Sequence, residues 1–114
     1  VIGYADEVGI IDEAKAECAV SFEDRTYHSF HSSVPLPPQT EGVNSEDLIT
    51  FLDGFVQGAR CTLHVDIDRG ENGHHIWEAV FRALGAALGR ACSCDPARAG
   101  MTAGVAGSIE YIVE

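Results

Sequence analysis

An irregular segment leads into a helix in the stretch Gly70-Glu71-Asn72-Gly73-His74-His75-Ile76-Trp77-Glu78-Ala79-Val80-Phe81-Arg82. Its two glycines interrupt regular structure, and the apolar, Ala-rich pattern that follows has helical spacing. The pattern predicts a helix from about His75 to Ala91 with one buried side. The residues predicted to be buried are Ile76, Val80, Phe81, Leu84 and Leu88.

The paired histidines stand at the start of this predicted helix. Glu78 lies four residues after His74 and three after His75, so the three side chains can converge on one patch of helix surface. Two neutral imidazoles and one carboxylate suit a borderline divalent metal. The sequence therefore predicts that His74, His75 and Glu78 are metal ligands. The alternative is that the histidine pair lies on the surface or caps the helix.

A second helix and an adjoining strand are predicted just upstream. Asn44 or Ser45 can cap a helix over residues 46–59, in which apolar side chains recur at helical spacing. The apolar residues of this helix are Leu48, Phe51, Leu52, Phe55 and Val56. Residues 61–67 alternate apolar and polar side chains, which predicts a strand with His64 on its polar face.

The other segments complete an α+β pattern. They are predicted as a loop or weak strand over 1–13, a half-buried strand over 16–22, a β-prone run over 26–31, a proline-rich loop over 35–42, a loop over 94–107 and a last strand over 109–113. The order predicts a two-layer sandwich, in which one mostly antiparallel sheet carries two helices packed on one face. Residues 1–114 are expected to form a single domain.

Composition limits the possible partners. The net charge is −11 with seven scattered basic residues, so nucleic-acid binding is not expected. No apolar stretch is long enough to span a membrane. The four cysteines form no CxxC pair and favour a reducing compartment, so we expect a cytoplasmic protein. The only methionine is Met101, and the chain is therefore expected to be a segment of a longer protein.

Several of these residues resemble the C-terminal half of the imidazoleglycerol-phosphate dehydratase family of histidine biosynthesis. The most specific part is Leu63-His64-Val65 followed by Gly70-x-Asn72-x-His74-His75-x-x-Glu78-Ala79-x-Phe81-Arg82-Ala83. Two further landmarks of the family are similar to Asp12-Glu13-Ala14 and to Asp24-Arg25-Thr26-Tyr27, with thirteen residues from Asp12 to Arg25. The resemblance covers nearly the whole chain but about half of the family's usual length.

The resemblance implies a particular architecture and reaction. It implies two repeated halves, each a sheet with helices on one face, of which this chain would be the C-terminal half-domain. It also implies a large homo-oligomer with sites between subunits and two manganese ions per site. The implied reaction is the loss of water from imidazole glycerol phosphate, a small phosphorylated imidazole, to give imidazole acetol phosphate. Metal coordination of the substrate's ring nitrogens would favour imidazolate and help to expel the hydroxyl.

The resemblance also assigns roles to residues. His74, His75 and Glu78 are the expected ligands of a divalent metal, which is expected to be manganese, and Glu78 is also the expected catalytic residue. Arg25 and Arg82 lie where the family holds substrate phosphate. Each arginine has a simpler alternative. Arg82 can pair with Glu78 at i+4, and Arg25 can form a turn-stabilising ion pair with its acidic neighbours.

Three other histidines are not expected to be ligands. His64 is expected to support the site by hydrogen bonding rather than to bind metal. His28 and His31 are expected to lie on a solvated edge segment, where they could at most bind metal adventitiously.

Three departures from the family pattern motivate a second hypothesis. Thr50 stands where family members carry a metal-ligating histidine, fourteen residues before His64. Residues 1–13 contain no arginine, although the family carries a phosphate-binding arginine just before its Asp-Glu-Ala landmark. Met101-Thr102-Ala103-Gly104 stands where the family has a lysine-containing segment that binds phosphate. The second hypothesis is therefore a non-catalytic metal-binding or structural paralogue of the same fold.

Overall fold

The computed structural model describes residues 1–94 of the chain. In chain order its elements are β1 (Tyr4–Ile11), β2 (Ala14–Ser21), β3 (Tyr27–Ser32), β4 (Gln39–Thr40), β5 (Val43–Asn44), α1 (Ser45–Ala59), β6 (Thr62–Arg69) and α2 (Gly73–Ala91). The strand predicted over 109–113 lies outside the described residues, as does the loop predicted over 94–107 beyond Cys94. Among the described residues no helix has the length and apolarity that a membrane crossing requires.

Four strands form one sheet in the order β1-β2-β6-β3. The β1–β2 and β2–β6 pairs are antiparallel and the β3–β6 pair is parallel, so the predicted mostly antiparallel sheet is confirmed. β4 and β5 form a separate short hairpin, in which β4 and the turn lie within the loop predicted over 35–42 and β5 follows it. This hairpin directly precedes α1, and its turn carries Glu41, which contacts the site described below.

Both helices cover the same face of the sheet, so the predicted two-layer α+β sandwich is confirmed. From β2, Sγ of Cys18 contacts the Val80 carbonyl of α2 at 3.6 Å. From β3, the Phe30 ring stacks on Trp77 of α2 with centroids 5.6 Å apart. The His28 side chain points the same way, and its Nδ1 lies 3.6 Å from Asp53 of α1.

His28 corrects one prediction. Its side chain is only 6% exposed, whereas we predicted a solvated edge position. Strand alternation places His28 two residues before Phe30 and therefore on the face that the helices cover. Its polar neighbours in the sequence lie partly on the opposite face of the sheet, so the sequence gives no sign that His28 is buried.

The first strand was not recognised in the sequence. Residues 1–13 were predicted as a loop or weak strand, but β1 is an eight-residue strand paired along its full length with β2. Its buried positions include the small residues Ala5 and Gly9, and at Gly9 the backbone of α2 leaves no room for a Cβ. Large apolar residues, including Val8 and Ile10, lie on the exposed face. The usual apolar alternation of a half-buried strand is therefore hidden.

The two predicted helices are confirmed, but their buried sides are narrower than predicted. In α1, Leu52 and Val56 are fully buried, whereas Phe51 is 59% exposed. In α2, Ile76, Val80 and Leu84 are buried, and Phe81 and Leu88 are only partly so. The apolar stripe of each helix is wider than its contact with the sheet, so its flanks remain accessible.

Candidate functional site

The first turn of α2 presents the paired histidines at one end of the sheet. Gly70 leaves β6 with a φ of 156°, and a Cβ at this position would overlap the side chain of Ile76. Asn72 then caps the helix, since its side-chain oxygen accepts a hydrogen bond from the backbone N–H of His75 at 3.1 Å. The helix begins at Gly73, two residues before the predicted start. The sequence Gly70-x-Asn72 therefore fixes where His74 and His75 emerge.

His75 faces the turn between β1 and β2. Its Nδ1 lies 2.8 Å from Oε1 of Glu13, and its Nε2 lies 3.3 Å from Asp12. The other oxygen of Glu13 accepts backbone hydrogen bonds from Asn72 at 2.8 Å and from Glu71 at 3.0 Å. These N–H donors, Asn72 first, lower the pKa of Glu13 to about 2 from 4.5. Glu13 is therefore an ionised acceptor that is fixed to the start of α2.

His74 faces a different pair of carboxylates. Its Nδ1 lies 2.8 Å from Oε2 of Glu41, in the β4–β5 hairpin. Its Nε2 lies 3.2 Å from Oε1 of Glu78, one turn along α2. The hydrogen bond with Glu41 is the largest cause of the raised pKa of His74.

The side chains of His74, His75 and Glu78 do not converge on one patch in the structure. Only His74 lies beside Glu78, and the ring centroids of His74 and His75 are 6.3 Å apart with their planes at 87°. Neighbouring residues on a helix point in different directions, so the two imidazoles diverge. Within residues 1–94 no three His, Cys, Asp or Glu side chains are arranged to hold one metal ion. Ligation by His74, His75 and Glu78 stays a prediction.

Two donors nevertheless fit one ion. Two ligands at right angles around an ion with bonds of about 2.1 Å lie about 3 Å apart. The 3.2 Å between Nε2 of His74 and Oε1 of Glu78 is close to that spacing. In both histidines Nδ1 meets a carboxylate, which is the usual arrangement behind a ligating imidazole and leaves Nε2 for metal. Imidazole nitrogen and carboxylate oxygen suit Mn, Fe, Co or Zn.

The structure does not bring the two candidate phosphate-binding arginines together. Arg82 donates from Nε and Nη2 to Oε2 of Glu78 at 3.2 and 2.9 Å, which is the i+4 ion pair. Arg25 precedes β3, and its carbonyl accepts a hydrogen bond from Thr62 at the start of β6. The histidines follow the other end of β6, roughly 25 Å away at about 3.3 Å per residue. Phosphate binding by either arginine stays a prediction.

The other residues that contact His74 and His75 had a weak signal in the sequence or none. Asp12 and Glu13 were noted only as a family landmark, and their contact with His75 follows from the tight β1–β2 turn. Glu41 carried no signal, because its contact with His74 spans 33 residues and depends on how the hairpin packs. His64 lies on the sheet face away from the helices, where its ring packs 5.6 Å from Tyr27.

Comparison with known proteins gives one consistent family. The family model described as imidazoleglycerol-phosphate dehydratase matches residues 3–88. The imidazoleglycerol-phosphate dehydratase of Ralstonia nicotianae is 37% identical over 110 residues, which cover 96% of this chain and 55% of that protein. The enzyme of the same name from Oleidesulfovibrio alaskensis is 36% identical over 85 residues, which cover 75% of this chain and 43% of that protein.

Solved structures agree. A crystal structure of imidazoleglycerol-phosphate dehydratase from Staphylococcus aureus superposes with a TM-score of 0.77 at 33% identity, over 82% of this chain and 54% of that one. The Pyrococcus furiosus structure, solved with (S)-C348, gives a TM-score of 0.68 at 32% identity, over 76% of this chain and 48% of that one. The chain therefore spans about half the length of the relatives that it matches.

Proposed function

The chain belongs to the imidazoleglycerol-phosphate dehydratase family, and we propose that it is one half of a lyase that dehydrates imidazole glycerol phosphate to imidazole acetol phosphate in histidine biosynthesis. The enzyme would work in the cytoplasm. The observation that carries the proposal is the disposition of His74 and His75 at the start of α2. Each imidazole meets a carboxylate at Nδ1 and presents Nε2 beside a further carboxylate oxygen.

We assign the two histidines to two metal ions. His74 and Glu78 would hold one divalent ion, for which the family resemblance implies manganese, and His75 would hold the second. When bound, the metal would polarise the imidazole ring of the substrate. Arg82 donates two N–H groups to Oε2 of Glu78, which leaves Oε1 beside Nε2 of His74.

The remaining ligands would come from other chains. Within the described residues, His74 and Glu78 are the only two donors that we place on the first ion, so each ion needs further ligands. This need supports a homo-oligomer in which sites form between subunits, with a contribution from the half of the relatives' length that the chain does not span.

Arg25 would bind substrate phosphate in such a shared site. It is exposed and lies at the end of the sheet away from the histidines of its own chain. Arg82 could take that role only by leaving Glu78. The assembly would therefore bring Arg25 of one chain to the histidines of another.

One observation favours the alternative of a non-catalytic paralogue. Thr50 lies exposed on α1, at the position where the family resemblance places a ligating histidine. A hydroxyl is a weaker ligand than imidazole for this class of metal. Under this alternative the protein would bind metal without dehydrating the substrate.

Manganese binding tests the proposal. Calorimetry at pH 7.5 would compare the chain with His74→Ala and with His31→Ala, which removes an exposed histidine outside the cluster. We expect binding to be lost only in His74→Ala. The same variants would then be assayed for dehydration after coexpression with the N-terminal half of the Ralstonia relative. Metal binding without activity would indicate the paralogue, and binding that survives His74→Ala would contradict the ligand assignment.

A further inference from the structure

We propose that Glu41, at the tip of the β4–β5 hairpin, is the positioning residue of His74. Its carboxylate lies 2.8 Å from Nδ1, where it would hold the ring proton and leave the Nε2 lone pair for the metal that Glu78 would share. This inference rests on the proposed function for the ligand role of His74. It adds a residue that reaches the site from a separate element of the fold.

The turn that carries Glu41 has an unfavourable backbone for that residue. Thr40 pairs with Val43, so Glu41 and Gly42 form a two-residue hairpin loop with φ values of 51° and 84°. Such a loop favours Asn-Gly or Asp-Gly, because the first residue must adopt the left-handed region. A glutamate there is strained, and strain of this kind persists where the side chain has a task. The contact with His74 supplies that task.

The hairpin packs against α2, the helix that carries His74. A Cβ on Gly73 would overlap Oγ1 of Thr40 and would lie 3.2 Å from Pro37, so the hairpin touches the backbone of the first turn of α2. The buried Ser45 accepts a hydrogen bond from Nε1 of Trp77 at 3.1 Å and donates one to the Pro37 carbonyl. Residues before, within and after the hairpin therefore contact α2, and these contacts fix the position of Glu41 relative to that helix.

Glu41 and Glu13 hold their histidines differently. Glu13 is fixed by two backbone N–H groups, whereas the Glu41 side chain is 71% exposed and its hydrogen bond is to His74. The tautomer of an imidazole is set by the hydrogen bond that its other nitrogen makes. Removal of the Glu41 carboxylate should therefore release His74 and leave His75 unchanged, which makes His75 an internal control.

Nitrogen-15 NMR of the metal-free chain at pH 9 tests the contact directly. In the parent, Glu41 at 2.8 Å from Nδ1 and Glu78 at 3.2 Å from Nε2 compete for the ring proton, and we expect mainly the Nδ1–H tautomer because the Glu41 contact is the shorter. Glu41→Asn keeps a residue that the turn favours but removes the carboxylate near Nδ1, so His74 should change to mainly Nε2–H. Glu41→Gln retains an acceptor oxygen and should restore the Nδ1–H tautomer in part. Glu23→Gln, which removes one charge at the far end of the sheet, should leave His74 as in the parent.

Manganese affinity supplies the second readout. Loss of a carboxylate behind a ligating histidine typically lowers metal affinity about 10–100-fold, and we expect this loss in Glu41→Asn and a smaller one in Glu41→Gln. An unchanged tautomer, or a changed tautomer with affinity within about twofold of the parent, would overturn the positioning role. If either of those results were found and manganese binding were still abolished in His74→Ala, only the role of Glu41 would be wrong and the proposed function would remain. Binding that persists in His74→Ala would instead overturn the proposed function and, with it, the role of Glu41.

Discussion

Gly9→Ala should strongly destabilise the protein, because β1 and α2 touch there backbone to backbone. A Cβ at residue 9 would overlap the carbonyl oxygen of Ala79 and would lie 2.6 Å from the backbone nitrogen of Ala83. Carbon contacts are favourable from about 3.5 Å, so the strand must move away by about 1 Å, which forfeits a quarter to a half of the dispersion energy across the gap. Overpacking typically costs about 1–3 kcal/mol, and helix backbone atoms cannot rotate aside, so we expect roughly 3 kcal/mol.

Gly85→Ala is the matched control. Gly85 lies in the interior of α2, is exposed, and has no atom within 4 Å of an added Cβ. The same chemical change should therefore raise the free energy of unfolding there, by up to about 1 kcal/mol. Urea unfolding followed by circular dichroism, at one protein concentration, would measure both variants. A Gly9→Ala variant within about 0.5 kcal/mol of the parent would refute the close approach of β1 and α2.

Three further outcomes are expected. The pKa of Glu13 is lowered to about 2, so its contribution to stability is complete above pH 4.5 and is lost as pH falls toward 2; Glu13→Gln should be less stable than the parent in urea at pH 6, and a gap that persists at pH 2 would contradict this. A hydrogen bond with Asp6 raises the pKa of Glu17, so stability falls as pH rises through that pKa. Glu17→Gln should therefore unfold at higher urea than the parent at pH 7, and an unchanged midpoint would argue against the shared proton. Burial raises the pKa of two of the four thiols, so at pH 8 a thiol reagent should react rapidly only with Cys92 and Cys94, whereas four fast thiols would contradict the buried core.

The sequence predicted the elements whose side-chain pattern reflects their burial. Residues 61–67 alternate cleanly, and the resulting strand lies in the interior of the sheet between β2 and β3. β1 lacks that signal because its buried positions are small, and the need for Gly9 becomes visible only once α2 is in place. His28 was misjudged for a related reason, since a polar residue among serines carries no sign that a helix covers it.

One contact between the candidate metal ligands was predicted from spacing, and their contacts with residues distant in the sequence were not. Spacing alone placed Glu78 beside His74, and this contact is present. The same spacing placed His75 within reach of Glu78, but packing turned it toward Glu13 instead. Contacts that join distant parts of the chain, such as Glu41 with His74, depend on how a hairpin packs against a helix, and no local pattern in the sequence encodes that.

The divergence of the two histidines favours two ions over one. Adjacent residues on a helix differ by about 100° in direction at 3.6 residues per turn, so a His-His pair in a regular helix is poorly placed to chelate a single ion. The chain follows this geometry, with one carboxylate behind each ring and the two Nε2 atoms on separate carboxylates. This geometry supports the proposal of two ions, which the family resemblance also implies, over one ion held by His74, His75 and Glu78 together. In that proposal each histidine begins a site that other ligands complete.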